Sequence, residues 1–204
     1  MTNIAILVGA GEGKRIGNKD KAFFLLHNKP LLAYTLVPFE KSNLINEIIL
    51  VVRKNKINLA KDIVNKYQFK KVKKIIHGGK RRQDSVYQGL CEIKSADVVL
   101  IHDVVRPLIT ENMIKDCIKN AKKFGAAIPV IPIRDTVKEG KKFVKKTVDK
   151  ENLKLAQTPQ AFKYEILKKA YESAKKSKFY GTDDSSLLER LGHKIKIIPG
   201  SPKN

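Results

Sequence analysis

Short apolar runs separated by amphipathic stretches predict an α/β fold: a Rossmann-like, doubly wound, mostly parallel sheet with a protruding β-hairpin arm. Three observations carry that prediction. The apolar runs Ile4–Val8 and Ile48–Val52 are nearly continuous, as strands buried on both faces require. The stretches between runs are long enough for the crossover helices that parallel strands need. No repeat, low-complexity tract or Pro/Gly-rich linker divides the chain, so residues 1–204 read as one domain. That length sits at the upper edge of the roughly 100–200 residues usual for one domain.

Taken in order, Ile4–Val8 is the first strand and Pro30–Phe39 the first helix. Ile48–Val52, Leu59–Tyr67, Val72–Ile76 and Val86–Ile93 continue the alternation, the third run being the weaker strand. Val98–Ile101 is another strand. Glu111–Phe124 is a helix with Thr110 as N-cap and Gly125 as C-cap. Ala126–Ile133 is a further apolar run, in which Pro129 and Pro132 predict a bend or a sheet edge. Lys163–Ala174 and Asp184–Leu191 complete the helices, with Gly192 as a stop, and Lys194–Ile198 is a late strand. Arg134–Thr147 differs: a turn at Glu139-Gly140 predicts a hairpin leaving the sheet. Sheets of this class bind ligands beyond the carboxyl ends of their strands. Chemistry should therefore gather just after Val8, Ile76 and Ile101.

Apolar residues make up 42% and charged residues 30%, which excludes a disordered chain. Two cysteines, Cys91 and Cys117, exclude a disulfide scaffold and point to a reducing cytoplasm. No apolar run approaches the ~20 residues that span a bilayer. The N-terminal residues show no cationic segment of a secretory signal. The formal net charge is +22, yet only seven of the 42 basic residues are arginine, and tryptophan is absent. Nucleic-acid readers use arginine forks and aromatic stacking. The excess is read as a solvated surface that attracts phosphorylated substrates, not as a nucleic-acid site.

The first chemical cluster is Gly9-Ala10-Gly11-Glu12-Gly13-Lys14-Arg15, followed by Lys21. Alternate glycines let a backbone pass close to a phosphate or a base, and exposed amides accept anionic oxygens. Two familiar loops are excluded. A Walker loop needs Ser or Thr after Gly13-Lys14, where Arg15 stands. The dinucleotide fingerprint needs Gly at Lys14 or Ile16. Two cations beside such a loop suit a polyphosphate. Further along, Asp103 ends an apolar strand, where a carboxylate is costly unless it meets a cation or donors. Ser85 lies at an expected helix start, either as a hydroxyl for a ligand or as a plain N-cap.

Six blocks in sequence carry a resemblance. After the glycine loop come Gly78-Gly79-Lys80-Arg81-Arg82-Gln83-Asp84-Ser85-Val86-Tyr87-Gln88-Gly89-Leu90 and His102-Asp103-Val104-Val105-Arg106-Pro107. Then follow Pro132-Ile133-Arg134-Asp135-Thr136-Val137-Lys138, Gln157-Thr158-Pro159-Gln160-Ala161-Phe162 and Thr182-Asp183-Asp184. Together they resemble the 2-C-methyl-D-erythritol 4-phosphate cytidylyltransferases of the non-mevalonate isoprenoid pathway, over nearly the whole chain. Ribitol-5-phosphate cytidylyltransferases are similar and stand as the alternative. A non-catalytic, basic nucleic-acid-binding protein on the same fold is the distant alternative.

The resemblance implies transfer of a cytidylyl group from CTP to the polyol phosphate, with Mg²⁺ as cofactor and pyrophosphate as the second product. Arg15 and Lys21 match the family's catalytic cations. Gly9, Ala10, Gly11, Gly13, Gly79, Lys80 and Ser85 match its CTP-binding positions. Asp103 matches the metal-associated carboxylate and, with Arg106, Thr136, Lys150 and Thr158, the substrate-binding set. At Lys150 the family often carries Arg. Asp183 is expected to help hold the site wall. His102 is read as structural, because a phosphate nucleophile is already ionised and needs no base. Residues 134–150 are implied to be an arm clasping a second subunit in a homodimer, with Thr136 and Lys150 serving the neighbour's substrate. Asp20 and Ala22 stand where the family commonly has Pro and Gln, and Gly9 replaces a usual Ala. The family typically continues past Gly200-Ser201-Pro202-Lys203-Asn204 with Ile-Lys and a further helix, so a shortened C-terminal end is expected.

Overall fold

Asn3–Val8 (β1) is buried along its whole length, and its side chains divide between two cores. Ala5 and Leu7 enter one core, while Ile4, Ile6 and Val8 enter the other. That is the period-two signature of a strand covered on both faces. The computed structural model describes residues 2–11 and 20–204. The expectations for Gly13 and Arg15 lie outside the described residues.

After β1 come the short hairpin Leu25–Leu26 (β2) and Lys29–Pro30 (β3), the helix Leu31–Lys41 (α1) and the strand Glu47–Val52 (β4). Ile57–Lys66 (α2), Val72–His77 (β5), Arg82–Cys91 (α3) and Val98–Asp103 (β6) follow. Glu111–Phe124 (α4) is capped as expected: the Thr110 hydroxyl accepts from the Met113 amide at 3.3 Å, and Gly125 takes φ 93°. Next are Ala126–Pro132 (β7), Val137–Gly140 (β8), Val144–Val148 (β9), Lys154–Ala156 (β10) and Gln160–Lys163 (β11). Tyr164–Lys176 (α5), Ser185–Glu189 (α6) and Lys196–Pro199 (β12) complete the chain.

The main sheet runs β10-β7-β11-β6-β1-β4-β5, with β12 paired to β7. Strands β1, β4, β5 and β6 pair in parallel, as does β12 with β7. Among the described strands of this sheet, only β10 and β11 run against their neighbours. Helices α1, α2 and α4 pack on one face through Leu36, Ile63 and Ile114. Helices α3, α5 and α6 pack on the other through Val86, Leu167 and Leu187. The fold is doubly wound, as predicted.

Three expectations need correction. The run at 126–133 is not an edge: β7 pairs with β10 and β11 as well as β12. Pro129 is tolerated because its carbonyl, accepting from the Gln157 amide at 2.8 Å, points where the partner strand breaks between β10 and β11. A residue's N–H points to the same side as its C=O in extended chain, so the missing donor has no ladder to spoil. The arm's reversal falls after β8, at residues 141–143, and not at Glu139-Gly140. Ser85 lies inside α3, whose N-cap is Arg81.

The arm, β8 with β9, is a separate two-stranded sheet. It leaves Phe143 87% and Val144 65% exposed. Among the described residues no helix is long and apolar enough to cross a membrane.

Candidate active site

Where β1, β5 and β6 end, the chain does gather its unusual residues. Gly9 prolongs β1, donating its amide to the Val51 carbonyl at 2.7 Å. Gly78 prolongs β5 in the same way, donating to Val52 at 2.8 Å. The two extensions meet: a Cβ built on Gly78 would stand 2.3 Å from the Ala10 Cβ and 2.6 Å from the Ser85 hydroxyl. Only glycine lets these three backbones close together. Arg53, just past β4, donates to the Gly11 carbonyl at 2.7 Å and faces Asp20 at 3.7 Å. It thereby grips the described chain on both sides of the loop. Lys21 opens a 3-10 turn, Lys21–Phe23, and its ammonium makes no hydrogen bond or ion pair with the described residues.

The second cluster builds the start of α3. The Gly79 amide donates to the Ser85 hydroxyl at 3.1 Å, and that hydroxyl donates to the Arg81 carbonyl at 3.0 Å. Asp84 accepts from the Arg81 amide at 3.1 Å. Ser85 is 2% exposed, so its hydroxyl shapes the Gly78-Gly79 bend. Lys80 is exposed on that bend. Arg81 turns outward and lies 3.5 Å over the ring of Tyr180.

Asp103, the last residue of β6, meets the cations that its place on an apolar strand demands. Arg82 Nε reaches its Oδ1 at 2.9 Å, while Arg106 Nε lies 3.7 Å from its Oδ2. Arg82 also reaches Asp184 Oδ2 through Nη1 at 2.8 Å. Asp184 is 1% exposed and accepts a second hydrogen bond from the Tyr171 hydroxyl at 2.5 Å. Burial raises the Asp184 carboxyl above the usual range, against the pull of Arg82. Burial works against the Arg82 charge too, but Asp184 and Asp103 outweigh it and hold the guanidinium protonated. Fixed Arg forks of this kind set a carboxylate's direction as well as its charge.

Behind Asp103 sits His102, fully buried. Its Nδ1 is 2.9 Å from the Thr158 hydroxyl and its Nε2 is 3.0 Å from the Arg106 carbonyl. Burial pushes its pKa down to about 4, so the ring is neutral. Thr158 Oγ1 accepts from the Asp103 amide at 3.2 Å. The Thr158-Pro159 bond is cis. Gln157, beside it, ties the segment to Ser201 at 2.7 Å and 3.0 Å and to Asn204 at 2.9 Å. Arg106 Nη1 also donates to the Asn204 carbonyl at 3.2 Å.

The structure thus brings Gly9, Ala10, Gly11, Gly79, Lys80 and Ser85 to one side of the rim and Asp103, Arg106 and Thr158 to the other. Thr136 and Lys150 are not among them. Thr136 is exposed at the root of the arm, and Lys150 folds back onto the carbonyls of Arg134 and Asp135. Asp183 accepts from Gln160 at 2.7 Å and from the Ser186 amide at 3.0 Å, holding the start of α6 against β11. Sequence reasoning passed over Arg53, Arg82, Gln157 and Asp184 as site residues. All but Arg53 lie in the quoted blocks. Their partners stand 13 to 102 residues away, which no local pattern reveals.

Comparison with known proteins agrees across the whole chain. The family model of 2-C-methyl-D-erythritol 4-phosphate cytidylyltransferase matches residues 3–204. The enzyme of that name from Clostridium acetobutylicum is 44% identical over 206 residues, covering 99% of this chain and 90% of that protein. The one from Clostridium botulinum is 42% identical, with the same coverage. Among solved structures, 4-diphosphocytidyl-2C-methyl-D-erythritol synthase from Anaerococcus prevotii superposes with TM-score 0.87 at 31% identity. It covers 100% of this chain and 90% of its own.

Proposed function

The chain belongs to the 2-C-methyl-D-erythritol 4-phosphate cytidylyltransferase family, and from that premise we propose how its rim performs the reaction. The reaction joins CTP and 2-C-methyl-D-erythritol 4-phosphate into 4-diphosphocytidyl-2-C-methyl-D-erythritol and releases pyrophosphate. The observation that carries this reading is a family match over residues 3–204, supported by a rim that holds Gly9, Ala10, Gly11, Gly79, Lys80 and Ser85 on one side and Asp103, Arg106 and Thr158 on the other. The relatives and the superposed structure are named for the erythritol compound, which disfavours ribitol phosphate and a nucleic-acid role.

A phosphate oxygen of the polyol attacks the α-phosphorus of CTP, and pyrophosphate leaves in line. Such transfer asks a protein for positioning and for cations where negative charge develops. Gly9, Ala10 and Gly11 present backbone to the nucleotide beside the Gly78-Gly79 bend. Lys21, its ammonium uncommitted to described residues, reaches the phosphates as a mobile charge, with Arg15 as the forked partner cation. Lys80 is placed to meet the nucleotide from the bend. Arg106 offers its guanidinium to the polyol phosphate. No base is needed, because the nucleophile is already an anion.

The donor chemistry fits a divalent cation that arrives on the nucleotide. Asp103 offers one half-buried carboxylate, and among the described residues no group of three His, Cys, Asp or Glu side chains could form a cage. A hard cation such as Mg²⁺ takes one or two carboxylates together with phosphate oxygens and waters. Bound there, Mg²⁺ would neutralise charge on the triphosphate. Oδ1 of Asp103 is held by Arg82 at 2.9 Å, whereas Oδ2 has Arg106 Nε beside it at 3.7 Å, so Oδ2 would be the freer oxygen to hold the ion.

The working unit is a homodimer. A lone two-stranded sheet is marginal in water, and this one exposes Phe143 and Val144. Covering them with the equivalent arm of a second copy would carry Thr136 and Lys150 to the neighbour's substrate. Two free cysteines and the family's pathway fit a cytoplasmic enzyme.

Pyrophosphate release from CTP with a panel of polyol phosphates tests the assignment. Preference for the erythritol phosphate is expected. Preference for ribitol phosphate, or salt-sensitive nucleic-acid binding without turnover, would overturn it.

A further inference from the structure

His102 is packed against Phe39, with ring centroids 5.2 Å apart, and nothing in the phosphate-transfer chemistry calls for it. Both of its nitrogens nevertheless hold parts of the site. Nε2 faces the Arg106 carbonyl, which can only accept, so Nε2 carries the hydrogen. Both hydrogen-bond partners are uncharged and the ring is sealed from water, so the neutral imidazole is the form held. Nδ1 is then bare and must accept. Its partner is the Thr158 hydroxyl. A hydroxyl has one hydrogen, and here it is spent on His102. Toward every other neighbour Thr158 Oγ1 can only accept, as it does from the Asp103 amide. The bonding order is therefore fixed from end to end: Asp103 amide to Thr158, Thr158 to His102, His102 to the Arg106 carbonyl.

We propose that His102 is a positioning residue for the polyol phosphate, the middle of a strut that aims Asp103 and Arg106. In this strut the Thr158 hydroxyl is an internal link and not a donor to the substrate. The strut spans the bend from β6 into residues 104–106, which carries both functional side chains, and pins it to the segment ahead of β11. Losing the Arg106 link frees the backbone that carries the guanidinium. Losing the Thr158 link frees the Asp103 amide. The inference rests on the reading of the chain as an enzyme that joins CTP to the erythritol phosphate.

Two substitutions separate the links. His102→Asn keeps an acceptor at the place of Nδ1 and gives up the bond to Arg106. His102→Gln keeps a donor at the place of Nε2 and gives up Thr158. With Asn, the KM for the polyol phosphate should rise about ten-fold while the KM for CTP stays within about two-fold. With Gln, the polyol-phosphate KM should stay within about three-fold of the parent. Equal rises in both KM values with a lowered Tm in both variants would reduce His102 to packing, and parent-like kinetics in His102→Asn would remove the role altogether. Nitrogen-15 NMR of the imidazole, recorded without substrate, decides the strut even if neither variant folds. An Nε2–H tautomer is expected in the parent, with the Nδ1 resonance shifted in Thr158→Val. An Nδ1–H tautomer, or no shift in Thr158→Val, overturns the inference. Failure of the parent to turn over the erythritol phosphate would instead strike the functional reading and leave the tautomer result standing.

Discussion

Removing Arg82 should destabilise the fold by several kcal/mol, and a second substitution, at its buried partner, should cost almost nothing more. Asp184 is 1% exposed and has two described hydrogen-bond partners, Arg82 and Tyr171. Without the guanidinium its charge is left in the core with one hydroxyl for company. Breaking a buried pair from one side costs about 3–5 kcal/mol. The Arg82 side chain is 33% exposed, so water already screens part of its interaction and the lower end, about 3 kcal/mol, is expected for Arg82→Met. Asp184→Asn gives up a charge-assisted bond worth about 2 kcal/mol. In the double variant no buried charge is stranded, and the amide still offers Tyr171 an oxygen. The two effects should therefore overlap by about 2 kcal/mol. Urea denaturation of the four proteins, extrapolated linearly to water, gives the cycle directly. Additivity within about 0.5 kcal/mol would show that Arg82 and Asp184 are neighbours without being partners.

Gly78→Ala should raise the Kd for CTP by ten-fold or more and lower stability by about 1–3 kcal/mol, because its Cβ would press on Ala10 and Ser85. Calorimetric titration with CTP checks this, and unchanged affinity would separate that bend from nucleotide binding. His102 titrates near 4 when folded and near 6.5 when unfolded, so the unfolded chain takes the extra proton in that window. Its contribution is intact above pH 6.5 and shrinks as pH falls toward 4, by roughly 3 kcal/mol. The stability difference between the parent and His102→Gln should follow that course, and a flat difference from pH 7.5 to 4.5 would contradict it. Mixing inactive Lys21→Ala and Thr136→Ala under subunit exchange should restore about a quarter of full activity, since only heterodimers regain one intact centre. No recovery despite proven exchange would assign Thr136 to its own subunit.

The parallel core was legible because burial on both faces writes itself into near-continuous apolar runs such as Ile48–Val52. The α4 helix was legible to the residue because Thr110 and Gly125 mark its ends chemically. Strands β10 and β11 were not. They are three and four residues long, and the run Gln160-Ala161-Phe162-Lys163 has no pattern that a loop could not share. At the rim, residue types in a motif pointed to the right places but not to their duties. Ser85 read equally well as a ligand hydroxyl or a cap, and proved to brace the Gly78-Gly79 bend. His102 looked inert because its two partners lie on other turns of the chain, one of them 56 residues away.

The reversed strand β11 also sets a timetable. Among the described residues it alone covers the side of β6 away from β1, yet it is translated roughly 60 residues after β6. At about 5–20 residues per second, the Val98–Asp103 edge waits on the order of 3–12 s for its partner. During that interval a nascent chain carries a row of unpaired backbone groups on an apolar strand, a template for joining another chain. It has Asp103 but neither Thr158 to hold its amide nor Asp184 to share Arg82. A ribosome that stalled before Gln157 would release most of a sheet, sticky along one edge and without an assembled site. In the cell, the burden of this fold falls on whatever shields β6 until the last quarter of the chain arrives.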